Sequence, residues 1–130
     1  MKFLADADFL VALAKSDDAN HERATQKAET TKGADIFITP FTIPETVTVV
    51  SYKASQTAAK KLLKELRSKN FIEISLDEDI MRFADELFAT QGAKGTSWID
   101  CLNVVVVKNY KLDGMLSFDA FYKQQGIALG

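Results

Sequence analysis

Short apolar runs alternate with helical stretches along the chain, and this alternation predicts an α/β layered fold with a mostly parallel sheet of four or five strands. Two further observations agree. The strand-like runs are apolar on both faces, as in Phe3-Leu4-Ala5 and Ile36-Phe37-Ile38, which suits a sheet covered on both sides. Acidic residues also recur where a strand gives way to a helix, beginning with Asp6 and Asp8. With 130 residues and 47% apolar content, the chain reads as one domain, residues 1–130, able to bury a real core. Two prolines and six glycines leave little room for linkers, and no internal repeat is visible.

No apolar run approaches the ~20 residues of a membrane helix. Asp6 and Asp8 interrupt the N-terminal apolar region, against a signal peptide. A cytoplasmic protein is expected, and the single Cys101, unable to form an internal disulfide, fits that setting as a small buried hydrophobe. A net charge of −2 excludes a whole-molecule basic field for nucleic acid. Charge is uneven, however: Lys53, Lys60, Lys61, Lys64, Arg67 and Lys69 stand against Glu65 alone. That stretch is either a solvated helix face or a local phosphate-binding patch.

Taken in order, Lys2 to Ala5 is strand one, and a helix from about Asp8 to Lys15 carries Leu10, Leu13 and Ala14 on one stripe. After the polar break at 16–20, Asn20 is placed to cap a helix from His21 to about Thr31. That helix is polar nearly all round, so His21 is expected to be solvated, and no second histidine exists to complete a zinc site. Ile36 to Thr39 is strand two. Thr42-Ile43-Pro44-Glu45 then reads as a capping box opening a helix to about Ala54, and Ser55 to Lys69 as a helix with Leu62, Leu63 and Leu66 inward. Phe71 to Ile74 is strand three. Asp77 caps the next helix, with Leu76 and Met81 forming a hydrophobic staple and Ile80, Phe83, Ala84, Leu87 and Phe88 its buried face. Trp98 to Tyr110, apolar all round, is a helix buried on several sides; Met115 to Ser117 is strand four, and Ile127 to Leu129 a short edge strand.

In a parallel α/β fold, strand C-termini and helix N-termini share one edge, where ligands bind. Asp6 follows strand one. Glu45 and Asp100 sit in the first turns of their helices, and Asp119 follows strand four, so all four reach that edge. Each also has a plain structural use, because carboxylates at helix N-termini are stabilised by ~0.3 to 1 kcal/mol. Asp17, Asp77 and Asp85 serve as controls, since they are expected away from the crossing point. Four or five carboxylates close together repel, and a divalent cation removes that cost. With no His or Cys among them, the donors favour Mg²⁺ or Mn²⁺, which serve phosphoester substrates. These residues predict a metal-dependent phosphoester hydrolase.

The ordered set of these segments resembles the PIN domain family, and within it the VapC-like ribonuclease toxins of toxin–antitoxin pairs. Phe3 to Leu10 is similar to the family's opening of strand, Asp, small residue, Asn or Asp. His21-Glu22-Arg23-Ala24, Thr39 to Val47 around Glu45, Trp98 to Asn103 around Asp100, and Leu116-Ser117-Phe118-Asp119 match the later segments. The resemblance implies a three-layer α/β/α sandwich and a metal-dependent endoribonuclease. In it Asp6, Glu45, Asp100 and Asp119 bind Mg²⁺ or Mn²⁺ and activate water for RNA cleavage. It implies that Ser117 supports the site. Asp8 replaces the more usual Asn, either as an auxiliary ligand or as a helix cap. Lys53, Lys60, Lys61 and Lys64 become the candidate RNA contacts. A cognate antitoxin protein and a homodimer are the implied partners, with Val47, Val50 and Tyr52 candidates for the contact between copies.

Two other readings stay open. Asp6-Ala7-Asp8 also resembles the opening of haloacid dehalogenase-like phosphatases, although Phe9-Leu10 follows where a threonine is usual and no later Gly-Asp acid pair appears. A receiver-like or catalytically silent PIN-like binding module would keep such a fold without the chemistry.

Overall fold

The computed structural model describes residues 1–130. Its elements run β1 (Lys2–Ala5), α1 (Ala7–Ala14), α2 (His21–Thr30), β2 (Asp35–Ile38), α3 (Thr42–Lys53), α4 (Gln56–Arg67), β3 (Ile72–Glu73), α5 (Glu78–Ala89), α6 (Trp98–Asn109), β4 (Gly114–Leu116) and α7 (Ala120–Gln124). All strand pairings are parallel, in the order β3-β2-β1-β4. Alternating side chains build a core on each face of this sheet. Phe3, Ala5 and Leu116 join α1 to α4 on one side, whereas Leu4 and Met115 meet α5, α6 and α7 on the other. The result is the expected three-layer sandwich. No helix is long and apolar enough to cross a membrane.

Strand order sets where a ligand belongs. From β1 the chain moves outward to β2 and β3, then returns to place β4 on the other side of β1. The crevice beyond the carboxyl ends of β1 and β4 is therefore the topological switch point. α6, which leads into β4, is buried from Cys101 through Val107, as its all-round apolarity predicts, and Cys101 is indeed a buried core residue.

Several local expectations are corrected. The edge segment after α7 makes a single parallel bridge, Met115 to Leu129, so the sheet has four full strands. Its approach relies on Gly114, where a Cβ would lie 2.4 Å from the Ala128 carbonyl oxygen. β3 is only two residues long and exposed, since it forms the far edge of the sheet. Phe83 and Phe88 remain exposed on α5, whose buried stripe narrows to Ile80 and Ala84. Val50 is buried in the core and Val47 packs against it, which leaves Tyr52, 87% exposed, as the surface residue among the three suggested for self-association. Asn20 holds the N-cap position of α2 as expected, but its side chain makes no capping hydrogen bond and its oxygen accepts from Arg23 instead. His21 is half-buried, its Nδ1 2.7 Å from the Ala12 carbonyl oxygen, so this nitrogen carries the proton and ties α2 to α1.

Candidate active site

The N-cap of α1 is Asp6, not Asp8. Its backbone N–H donates to the Leu116 carbonyl at 3.0 Å, so the residue is still held by the sheet, while its Oδ1 accepts from the Ala7 N–H at 2.8 Å. Asp6 is 7% exposed. Its Oδ2 takes a hydrogen bond from the Tyr122 hydroxyl at 2.8 Å and lies 3.2 Å from Ser117 Oγ; Asn103 Nδ2 approaches Oδ1 at 3.4 Å. Asp8, one residue into the helix, points across to β4. Its Oδ2 accepts from the Phe118 N–H at 2.9 Å and meets Ser117 Oγ at 3.0 Å, and its buried Oδ1 has no hydrogen-bond partner. The suggested role of Asp8 as a cap is thus overturned, because the helix begins one residue earlier and Asp6 occupies the capping position.

Three other acids border the same end of the sheet. Asp100 completes a capping box with Ser97: its N–H donates to Ser97 Oγ at 3.0 Å and its Oδ2 accepts from the Ser97 N–H at 3.3 Å. Its other oxygen, Oδ1, lies 3.2 Å from the Tyr122 hydroxyl. Asp119 caps α7 through the Phe121 N–H at 2.9 Å and donates its own N–H to Ser117 Oγ at 3.1 Å. Glu45 differs from expectation. α3 begins on Phe41 without any side-chain cap, since the Thr42 hydroxyl accepts from the Thr39 N–H instead. The capping box does not form, and Glu45 is not spent on one.

Electrostatics tie the group together. Asp6 is pushed up to about 7, first by burial, then by repulsion from Asp8 and, less strongly, Asp100, with hydrogen bonds from Tyr122 and Ala7 opposing. Asp8 is raised by burial and by Asp119, against the hydrogen bonds from Phe118 and Ser117. Glu45 is raised by partial burial, then by Asp100 and Asp8, so it stands within electrostatic reach of both. Burial and the adjacent Asp6 also hold the Tyr122 phenol far above its ordinary value, so it remains a donor.

Proton supply is short. Ser117 faces both Asp6 and Asp8, and Tyr122 faces both Asp6 and Asp100, giving four oxygen–oxygen contacts for two hydroxyl protons. With the Asp8 Oδ1 unpartnered, the cluster lacks positive charge, and its donors are oxygen only. Such a set suits a hard divalent cation. No three of the side chains are drawn together as a ready-made ligand shell.

The lysines are not brought to this place. Lys53 and Lys61 line an apolar groove at the C-terminal ends of α1 and α3, whose N-termini carry Asp6, Asp8 and Glu45; Lys60 and Lys64 are exposed on α4 beside them. Among the control acids, Asp77 caps α5 through the Ile80 N–H and Asp17 pairs with Lys15. Asp85 lies closer than expected, accepting from the Trp98 indole at the start of α6. Asp77 used as a cap argues against a receiver, whose phosphorylated acid would end strand three. Asp6, buried and engaged on both oxygens, argues against a phosphatase nucleophile.

Tyr122 and Asn103 are the residues that the sequence did not disclose. Both are buried, and Asn103 Nδ2 donates to the Tyr122 hydroxyl at 3.0 Å, turning its proton toward the acids. The available signal was a polar residue inside an otherwise apolar α6, three positions after Asp100.

Comparison with functionally characterised proteins by sequence gives no match. Solved structures do match. VapC20 of Mycobacterium tuberculosis, described as a Sarcin-Ricin loop cleaving toxin, is 18% identical over 97% of this chain and 96% of its own, with a TM-score of 0.85. VapBC2 of Rickettsia felis, solved with a DNA fragment from its promoter, is 14% identical over 100% of this chain and 98% of the matched chain, with a TM-score of 0.73. At these identities the likeness establishes the fold. The PIN domain profile matches residues 3–126, nearly the full length. The chain belongs to the PIN domain family.

Proposed function

We propose that this protein is a metal-dependent endoribonuclease, the toxin of a VapBC-type pair, with Mg²⁺ or Mn²⁺ held among Asp6, Glu45, Asp100 and Asp119. The observation that carries the reading is the charge-deficient cluster at the switch point, where three carboxylates share two hydroxyl protons. When bound, the ion offsets the repulsion among the acids and polarises a phosphoryl oxygen. The chain supplies the rest. Tyr122, turned by Asn103, and Ser117, anchored by the Asp119 N–H, fix the buried Asp6 and the half-buried Asp8 and Asp100. Glu45 and Asp119 are exposed and orient the attacking water at the rim. The matched toxin's cleavage of the Sarcin-Ricin loop and the matched VapBC2 complex support RNA as substrate and an antitoxin as partner; a cytoplasmic setting and a homodimer accompany the same reading.

Metal removal is the direct test. Purified protein should cleave single-stranded or looped RNA with Mg²⁺ or Mn²⁺, fall to background in excess EDTA, and recover on adding the ion back. Undiminished cleavage in EDTA refutes the proposal. Tyr122→Phe should keep the fold while raising the half-saturating Mn²⁺ concentration by about 10- to 100-fold, the usual cost of losing a group that orients ligands. A Mn²⁺ titration of cleavage measures it.

A further inference from the structure

Three cations lie around the end of β4, none of them paired with a side-chain carboxylate. Arg23 of α2 lies with its guanidinium carbon 4.8 Å from the centre of the Phe118 ring. Phe118 sits between Ser117 and Asp119, packs against Phe9, and has its N–H held by Asp8, so it is a fixed platform. One turn further along α2 is Lys27, whose ammonium contacts the Gly130 carbonyl. Lys123 lies four residues after Asp119, on α7, and is exposed. Lys27 is held below its ordinary value by partial burial and then by the charges of Arg23 and Lys123, so it stands within electrostatic reach of each.

None of the three pairs with a side-chain carboxylate; the protein's side-chain salt bridges engage only Lys15, Arg67 and Arg82. Cations grouped without a side-chain carboxylate partner are suited to an external polyanion. Arg23 spends one N–H on Asn20, and its planar fork leaves others free for phosphate oxygens. By contrast, Lys53 and Lys61 line the groove at the C-terminal ends of α1 and α3, away from the acids at their N-termini, and Lys60 and Lys64 lie on α4.

We propose that Arg23, Lys27 and Lys123 form the phosphate track that leads a single-stranded RNA backbone over Phe118 to Asp119. This rests on the nuclease reading above and replaces the α4 lysines as the RNA contacts. The positive track lies beside an acidic centre, so RNA is attracted at the flank and reaches the carboxylates from one side.

The test compares the triple variant R23Q/K27Q/K123Q with the α4 variant K53Q/K60Q/K61Q/K64Q. Binding to a fluorescent single-stranded RNA oligonucleotide is followed by anisotropy across a salt series, and cleavage is measured in parallel. Losing three phosphate contacts should flatten the slope of log affinity against log salt by about 2, at ~0.7 per contact. KM should rise with kcat nearly unchanged, and the α4 variant should keep the wild-type slope. K123Q alone, at an exposed residue, should give about one third of the effect and guards against misfolding; R23K should retain the slope. An unchanged slope in the triple variant, or an equal loss in the α4 variant, overturns the track. So does a triple variant that binds RNA normally but no longer binds an acidic peptide. Wild-type protein that binds RNA with the predicted salt dependence but never cleaves it supports the track and defeats the nuclease reading.

Discussion

Asp6→Asn will cut RNA cleavage severely and, in the absence of metal, make the protein more stable at pH 8. The two effects have one origin. Asp6 is buried beside Asp8 and within reach of Asp100, and its carboxyl is pushed from 3.8 up to about 7. A folded-state pKa above the unfolded value means that the folded protein binds the proton more tightly. The resulting stability is complete below the unfolded value, near pH 4, and is lost as pH rises through about 7. At 1.36 kcal/mol per unit, the metal-free wild type should lose about 2 to 3 kcal/mol between pH 5 and pH 8. Asp8 and Glu45, both raised, slope the same way. Asn at position 6 keeps an acceptor for the Ala7 N–H and carries no charge, so its denaturation midpoint should vary much less over this range. Mg²⁺ should stabilise the wild type at pH 8 and the variant far less. Cleavage should fall on the order of 10³-fold, the scale of losing one preorganised electrostatic group. Urea titrations at the two pH values in chelator, repeated with Mg²⁺, read the stability half. A variant with the wild-type pH slope refutes the electrostatic account.

The acid edge was legible because topology, not local propensity, creates it. Once strands and helices alternate, Asp6 and Asp119 must follow parallel strands, and Asp100 must open the helix that feeds β4. What failed were details decided by one residue or by distant partners. Asp8 takes the capping position of Asp6 if α1 starts two residues later, and sequence boundaries are not that sharp. Thr42-x-x-Glu45 has the pattern of a capping box, but Thr42 is already the first helical residue after the N-cap Phe41, and its hydroxyl accepts from the Thr39 N–H. Tyr122 reads as a core aromatic because its ring is one; the use of its hydroxyl depends on Asp6, 116 residues away, and on Asn103. The proposed phosphate track was hidden for a related reason: six cations are dense in sequence around α4, whereas Arg23 and Lys123 are 100 residues apart in the chain and each acts on Lys27 only in the folded protein.

Asp100→Asn separates capping from chemistry, which were alternative explanations of the same carboxylate. In the folded protein the two oxygens act separately, since Oδ2 accepts from the Ser97 N–H and Oδ1 faces the Tyr122 hydroxyl. An asparagine amide retains one acceptor oxygen, and its Ser97 partner still caps the helix through the residue 100 N–H. Stability should therefore change by no more than about 1 kcal/mol, the scale of one cap, while cleavage falls on the order of 10³-fold. Ser97→Ala makes the opposite cut. It removes the capping hydroxyl and leaves the carboxylate, so it should cost about 1 kcal/mol of stability and leave kcat within about twofold. Thermal melts and cleavage rates on the two variants together decide the matter. If Ser97→Ala loses as much activity as Asp100→Asn, the acid acts by holding the start of α6, and capping alone accounts for its position. If the two variants split as expected, the same side chain both starts the helix and lends its free oxygen to the site, with α6 serving as the rigid mount that a charged group at the switch point requires.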